Sequence, residues 1–322
     1  MDKIVHMLAQ RYGLTARTVY EVPGGWSAKA YRVDGERGAY FLKEYERRRP
    51  SIQPWVRRID DYMPVLGRLA EVPELREHVL HPLATREGTY KVETAEHVYV
   101  LFTYVEGETP GKKGLSEAQA GELAQILARL HRLGQWSAGR ADGLLEEYAL
   151  PCCAGLRNYM ARTTMEREFD RLLLGYKQLL LQAIAETLRL RDSVRLQATE
   201  LVLCHGDAHP FNVIQSDRLV VVDWEDLRWA PAELDLILYA LTPQWNAFWR
   251  AYQAARPDFR LNKDLMRFYL LRRRLDDIWS DALRLSREEP SAAETAQMLG
   301  WTRQAATEIT RIQGGGAGLS FA

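Results

Sequence analysis

His205-Gly206-Asp207-Ala208-His209-Pro210-Phe211-Asn212, followed by Val220-Val221-Val222-Asp223-Trp224-Glu225, is the stretch on which the fold turns. It sets Asp207 and Asn212 five residues apart and then runs along an apolar strand to a second aspartate. Phosphoryl transfer from ATP needs this set of groups. One carboxylate takes or orients the proton of an attacking hydroxyl, and an amide oxygen with a second carboxylate holds Mg2+ against the phosphates. A surface turn in which Asp207 and Asn212 cap local backbone groups is the simpler alternative. A patterned loop followed by a strand that ends on an acid argues against it.

The Asp-to-Asn spacing is that of the protein-kinase catalytic loop, H-R-D-x-x-x-x-N, which a metal-binding Asp follows. Here Gly206 stands for the Arg, and a second histidine, His209, lies inside the loop. HGDxHxxN before an Asp strand resembles the aminoglycoside phosphotransferase and choline kinase superfamily, kinase-like enzymes that mostly phosphorylate small molecules. The resemblance is strong at 205–235, moderate at 22–45 and weak after about 245. It implies a two-lobed, protein-kinase-like α+β fold: a small antiparallel five-stranded N-lobe with one main helix, and a larger α-helical C-lobe.

The order of elements agrees with that layout. Residues 2–12 read as a helix. Arg17–Val22, Ala28–Val33 and Ala39–Tyr45 read as strands, rich in Val, Tyr or Phe and separated by Gly or Pro. Asp34-Gly35-Glu36-Arg37-Gly38 is a hairpin signal. Val56, Ile59, Met63, Leu66 and Ala70 recur at helical spacing over 52–70. Two more strands are expected near 88–95 and 97–105. Beyond Pro110, Ser116 caps a helix to about Gly134, with Leu123, Ile126, Leu127 and Leu130 as its buried stripe. Two helices are expected over 155–198, a short strand at Leu219–Val222, helices from Pro231 to Ser286 and a last helix at 291–312. The expected division is a nucleotide-binding lobe at 1–105 with a connector at 102–110, a helical lobe at 111–313 and a flexible tail at 314–322.

Composition bounds the function. The 322 residues are 47% apolar and 27% charged, with 43 basic and 43 acidic side chains. Zero net charge argues against a dedicated nucleic-acid or anionic-membrane binder. No apolar run is long enough to span a bilayer, and the N-terminus has no signal-peptide core, so a cytoplasmic protein is expected. Cys152, Cys153 and Cys204 read as buried free thiols, and the histidines show no zinc spacing. Oligomeric state is not legible.

The remaining parts of an ATP site follow from the resemblance. Lys43, on a strand after a hairpin, is the phosphate-pairing lysine. Its carboxylate partner is sought on the next helix. At about 100° per residue from Ile59, Asp60 falls at the edge of the buried face and Asp61 points to water, so Asp60 is chosen. Gly24, Gly25 and Ser27, flanking Trp26, form the phosphate-covering loop, since glycines let backbone N–H groups approach an anion. Phe102, Thr103, Tyr104 and Val105 take the adenine-binding connector position.

The resemblance implies that Asp207 is the catalytic base. A histidine can also be a general base, but in this motif His205 and His209 are expected to brace the loop, and Asp235, at a helix start, to anchor it. Asn212 and Asp223 are the expected metal ligands, with Glu225 either a further ligand or a structural residue. The expected activity is ATP- and Mg2+-dependent phosphorylation of a small-molecule hydroxyl, on an aminoglycoside, amino alcohol or sugar-like acceptor. The alternative is a non-catalytic kinase-like protein such as a spore-coat component. Asp276, Asp277 and Asp281 could meet substrate amines, or form a solvated, salt-bridged face. Trp245, Trp249 and Trp279 could cage a quaternary amine, or simply pack the core.

Overall fold

The computed structural model describes residues 2–25, 27–133, 142–197 and 199–314. Trp26, Gly134, Ala198 and residues 315–322 belong to the expected phosphate loop, helix end, helical run and tail, and lie outside the described residues.

Five strands form one antiparallel sheet: β1 (Ala16–Val22), β2 (Lys29–Gly35), β3 (Gly38–Glu46), β4 (Lys91–Glu93) and β5 (His97–Thr103), in the order β1-β2-β3-β5-β4. The β2–β3 hairpin closes with Gly35 opposite Gly38, and that register sets every later pair. Tyr31 lies opposite Leu42, and Leu42 opposite Leu101. With Val33, Val92 and Tyr99 these residues form one apolar face, covered by Ile4, Met7 and Leu8. The latter come from helix α1 (Asp2–Met7) and the π-turn Leu8–Tyr12 that continues it. Strand alternation then sends Lys43 and Tyr45 to the opposite face, beside Ala30, Val100 and Val98. Helix α2 (Gln53–Leu69) buries Ile59, Tyr62, Met63, Val65, Leu66 and Leu69. Helix α3 (Glu117–Arg132) starts on a capping box made by Ser116 and Gln119.

Two short hairpin-like ladders carry the motif. Strand β6 (Val202–Cys204) pairs with β9 (Arg228–Ala230), and β7 (Val213–Gln215) with β8 (Leu219–Val221). Residues 205–212 and 222–227 are the connections these ladders hold at their ends. The first of two compact units contains Met1–Leu145, Val202–Ala230 and Asn246–Pro257. The motif therefore groups with the sheet, although the sequence reading placed it in the helical lobe.

The second unit contains Glu146–Leu201, Pro231–Trp245 and Asp258–Ala322. Its helices are α4 (Pro151–Arg162), α5 (Glu168–Gly175), α6 (Lys177–Val194), α7 (Glu233–Ala240), α9 (Lys263–Arg287) and α10 (Ala292–Gln313). Helix α8 (Trp245–Ala255) lies almost entirely in the first unit. Three helices occupy the stretch expected to hold two. Thr163 turns extended, and Arg167 closes the break by bonding Asp170 at 2.8 Å and the Leu285 carbonyl at 2.8 Å. The three cysteines are buried and form no disulfide. Among the described residues no helix is long and apolar enough to cross a membrane.

Candidate active site

Backbone geometry sets the loop. Gly206 has φ +82°, a left-handed conformation suited to glycine. A Cβ there would also press on the carboxylate and carbonyl of Asp226. The Asp207 amide donates to His205 Nδ1 at 3.1 Å, and His205 Nε2 meets the Val222 carbonyl at 3.1 Å. Nδ1 therefore accepts and Nε2 carries the proton, which ties the loop's start to the end of β8. The His205 ring sits 4.5 Å from the Trp224 ring, whose Nε1 donates to the Val221 carbonyl at 2.9 Å.

His209 caps the 3-10 turn Pro210–Asn212, accepting the Phe211 amide on Nδ1 at 3.2 Å. Its Nε2 lies 3.4 Å from Asp207 Oδ2. Asn212 Nδ2 donates to the Asp207 carbonyl at 2.9 Å and to its Oδ2 at 3.1 Å. The Val222 amide donates to the Asn212 carbonyl at 2.9 Å. Both histidines thus bond within the loop, and Asp207 and Asn212 are in direct contact. Asp235 is fully buried in the first turn of α7.

Charge concentrates at the end of β8. Lys43 Nζ reaches Asp223 Oδ1 at 2.7 Å and Glu225 Oε1 at 2.8 Å. The Tyr45 hydroxyl donates to the same Glu225 oxygen. Side-chain exposures are 12% for Lys43, 10% for Glu225 and 31% for Asp223. Burial disfavours the Lys43 ammonium, but Asp223 and then Glu225 outweigh it and hold its pKa above the ordinary lysine value. Burial also acts on Asp223, yet Lys43 prevails and keeps that carboxyl below the usual range. Burial pushes Glu225 up, against Lys43 and reinforced by the Asp223 charge. Asp223 itself has φ +64°, a left-handed backbone that a non-glycine residue adopts only where its surroundings impose it.

Asp60 is corrected. It pairs with Lys91 at 2.6 Å and its side chain is 60% exposed, while Asp61 is half-buried beside Gly143. On α2, Tyr62 is a buried phenol that burial and then Glu225 keep protonated and uncharged. The buried stripe of α2 extends through Tyr62, Val65 and Leu69, on the side of Ile59 away from Asp60, which leaves Asp60 exposed. Arg58, which the sequence reading passed over, reaches Asp226 at 3.2 Å and the Leu227 carbonyl at 2.7 Å. Tyr45 had a signal: two residues after Lys43 on a strand, it shares that face. Arg58 and Asp226 had none, being 168 residues apart.

Of the loop at 24–27, Gly24 packs against Ala30 and Ser27 is buried. In the connector, Phe102 is buried in β5, the Thr103 amide donates to the His81 carbonyl at 2.9 Å and the Tyr104 amide to the Ala39 carbonyl at 2.9 Å. Arg32 stacks 4.4 Å above the Tyr104 ring. Among the described residues the Val105 amide makes no backbone hydrogen bond.

The substrate-site candidates are engaged elsewhere. Asp277 bonds Arg273 at 3.0 Å and Arg274 at 2.8 Å, Asp276 pairs with Arg272 at 3.5 Å, and Asp281 is buried under Thr302. Trp249 stacks on Tyr252, and Trp279 lies against Gly155.

The model of the phosphotransferase enzyme family matches residues 18–275. The chain is 25% identical over 244 residues to Protein StrN of Streptomyces griseus, covering 70% of each chain. Among solved structures it is similar to a spectinomycin phosphotransferase in complex with ADP and spectinomycin, at a TM-score of 0.73 and 17% identity over 97% of this chain and 98% of that one. It is also similar to a microcompartment-associated aminopropanol kinase, at a TM-score of 0.66 and 16% identity over 98% of both chains. These structural likenesses establish the kinase-like fold, which the five-stranded sheet and helical remainder share. The family match covers most of the sequence, including the 205–225 motif, and the chain belongs to the phosphotransferase enzyme family.

Proposed function

We propose that this phosphotransferase moves the γ-phosphate of ATP to a hydroxyl of a small molecule. The observation that carries the reading is the contact of Asp207 with Asn212, in the same unit as the Lys43–Asp223 ion pair. Asp207 accepts the proton of the acceptor hydroxyl, or orients it. The acceptor oxygen then forms its bond to the γ-phosphorus as the bond to the β-phosphate oxygen breaks, and ADP leaves with that electron pair. Lys43 steadies the phosphates, and the 24–27 loop covers them with backbone N–H groups. The open Val105 amide suits an adenine ring nitrogen.

The donor set fits a hard divalent cation. Asn212 uses its nitrogen on Asp207, which leaves its amide oxygen to act as a ligand, and the Asp223 carboxylate is partly exposed. Asn212 and Asp223 would hold Mg2+, which would neutralise charge on the phosphates. His205 and His209 keep the loop in place. The acceptor class is an aminoglycoside, amino alcohol or sugar-like molecule. Support comes from the similarity to a spectinomycin phosphotransferase and an aminopropanol kinase.

The test is thermal stabilisation by Mg-ATP, followed by ADP release across a panel of amino alcohols, sugars and aminoglycosides. The expected result is stabilisation together with acceptor-dependent ADP release. Stabilisation without turnover on any acceptor would favour a non-catalytic nucleotide-binding protein. No stabilisation would remove the ATP reading.

A further inference from the structure

A phosphate-binding lysine needs an anion that keeps its ammonium in place without occupying the phosphate side. In this chain Asp60, on the helix after the lysine strand, is taken by Lys91. Two carboxylates from the turn after β8 meet Lys43 instead.

They are not equivalent. Asp223 is the more exposed of the two and is the carboxylate assigned to the metal. Glu225 is nearly sealed, and its Oε1 already accepts from both Lys43 and Tyr45. Two donors on one oxygen, one of them cationic, oppose the approach of a metal ion to that atom. The turn that carries Glu225 is also fixed from both sides. Trp224 Nε1 bonds the Val221 carbonyl, the Leu227 amide donates to the Trp224 carbonyl at 3.1 Å, and Arg58 holds Asp226 and Leu227.

We infer that Glu225, oriented by Tyr45, is the positioning residue for Lys43, taking from the metal turn the part that kinase-like proteins give to a helix carboxylate. The inference rests on the proposed role of Lys43 toward phosphates. When Asp223 turns to the cation, Glu225 keeps Lys43 aimed at the nucleotide. The motif then divides its two acids, one for the metal and one for the lysine.

The test uses the full chain with Glu225→Gln, Glu225→Asp and Tyr45→Phe. ADP affinity in EDTA and the Mg2+ midpoint for ATP binding are read by calorimetry. Glu225→Gln is expected to weaken metal-free ADP binding about 10-fold and to raise KM for ATP more than it lowers kcat. The Mg2+ midpoint should stay within about 2-fold. Tyr45→Phe should shift metal-free affinity in the same direction by about 3-fold, and Glu225→Asp should recover part of the loss. A shifted Mg2+ midpoint with unchanged metal-free affinity would make Glu225 a metal ligand and overturn the assignment.

A second arm needs no nucleotide, so it separates failure of this inference from failure of the ATP reading. If Glu225 and Lys43 are partners, Lys43→Met with Glu225→Gln should melt no lower than Lys43→Met alone. Additive losses in Tm would overturn the pairing.

Discussion

Asp223 and Glu225 in the first unit and Asp281 in the second are acids wholly or partly withdrawn from water, but among the described residues Asp281 has no cation within ion-pair distance. Lys43 lies between Asp223 and Glu225, and the neighbouring Asp226 has both Arg58 and Arg228. Asp281 has the Thr302 hydroxyl at 3.4 Å, with the Asp277 charge working against it and Arg284 only partly compensating. Burial, then Asp277, raises its pKa from the ordinary 3.8 to about 7. Lys43 overcomes burial at Asp223 and opposes it at Glu225, whereas an acid packed between α9 and α10 without such a cation meets burial by keeping a proton. Removing a partner should therefore destabilise the first unit, and removing the acid itself should stabilise the second.

The largest effect is expected from Lys43→Met. It leaves the buried Glu225 and the partly exposed Asp223 without their cation and should lower the unfolding free energy by about 3 kcal/mol in urea titrations. An unchanged midpoint would mean that water already shares those charges. A smaller loss, about 1.5 kcal/mol, is expected from Arg58→Gln, because Asp226 keeps Arg228. A loss as large as that of Lys43→Met would make Arg58 the main support of the turn.

The smallest effect has the opposite sign. The folded-state pKa of Asp281 is raised, so between pH 3.8 and about 7 the folded chain holds a proton that the unfolded chain releases, and stability falls as pH rises through that window. Asp281→Asn should raise Tm by about 2–4 °C at pH 8, with the gain shrinking to nothing by about pH 4. A gain independent of pH would point to packing and not to charge.

The same contrast explains what was legible. The 205–212 loop is held by bonds between near neighbours, such as Asn212 to Asp207 and Phe211 to His209, so residue spacing alone announced it. The hairpin register, with Gly35 opposite Gly38, likewise lay in a short stretch and put Lys43 on its strand. The partner of Lys43 was not legible. It comes from 180 and 182 residues away, and helical angle alone selected Asp60, which faces Lys91. The third helix between residues 151 and 194 was hidden because its break at 163–167 contains no proline or glycine.

The central claim is that Asp207 serves the acceptor hydroxyl while the 223–225 turn and Lys43 serve the nucleotide. Single-turnover phosphoryl transfer by Asp207→Asn, measured beside its Mg-ATP affinity, tests it most directly. The account expects transfer to slow by about 10²–10⁴ with affinity within about 3-fold of the parent. Full-rate transfer by Asp207→Asn, or a slow rate that follows lost nucleotide affinity, would contradict it.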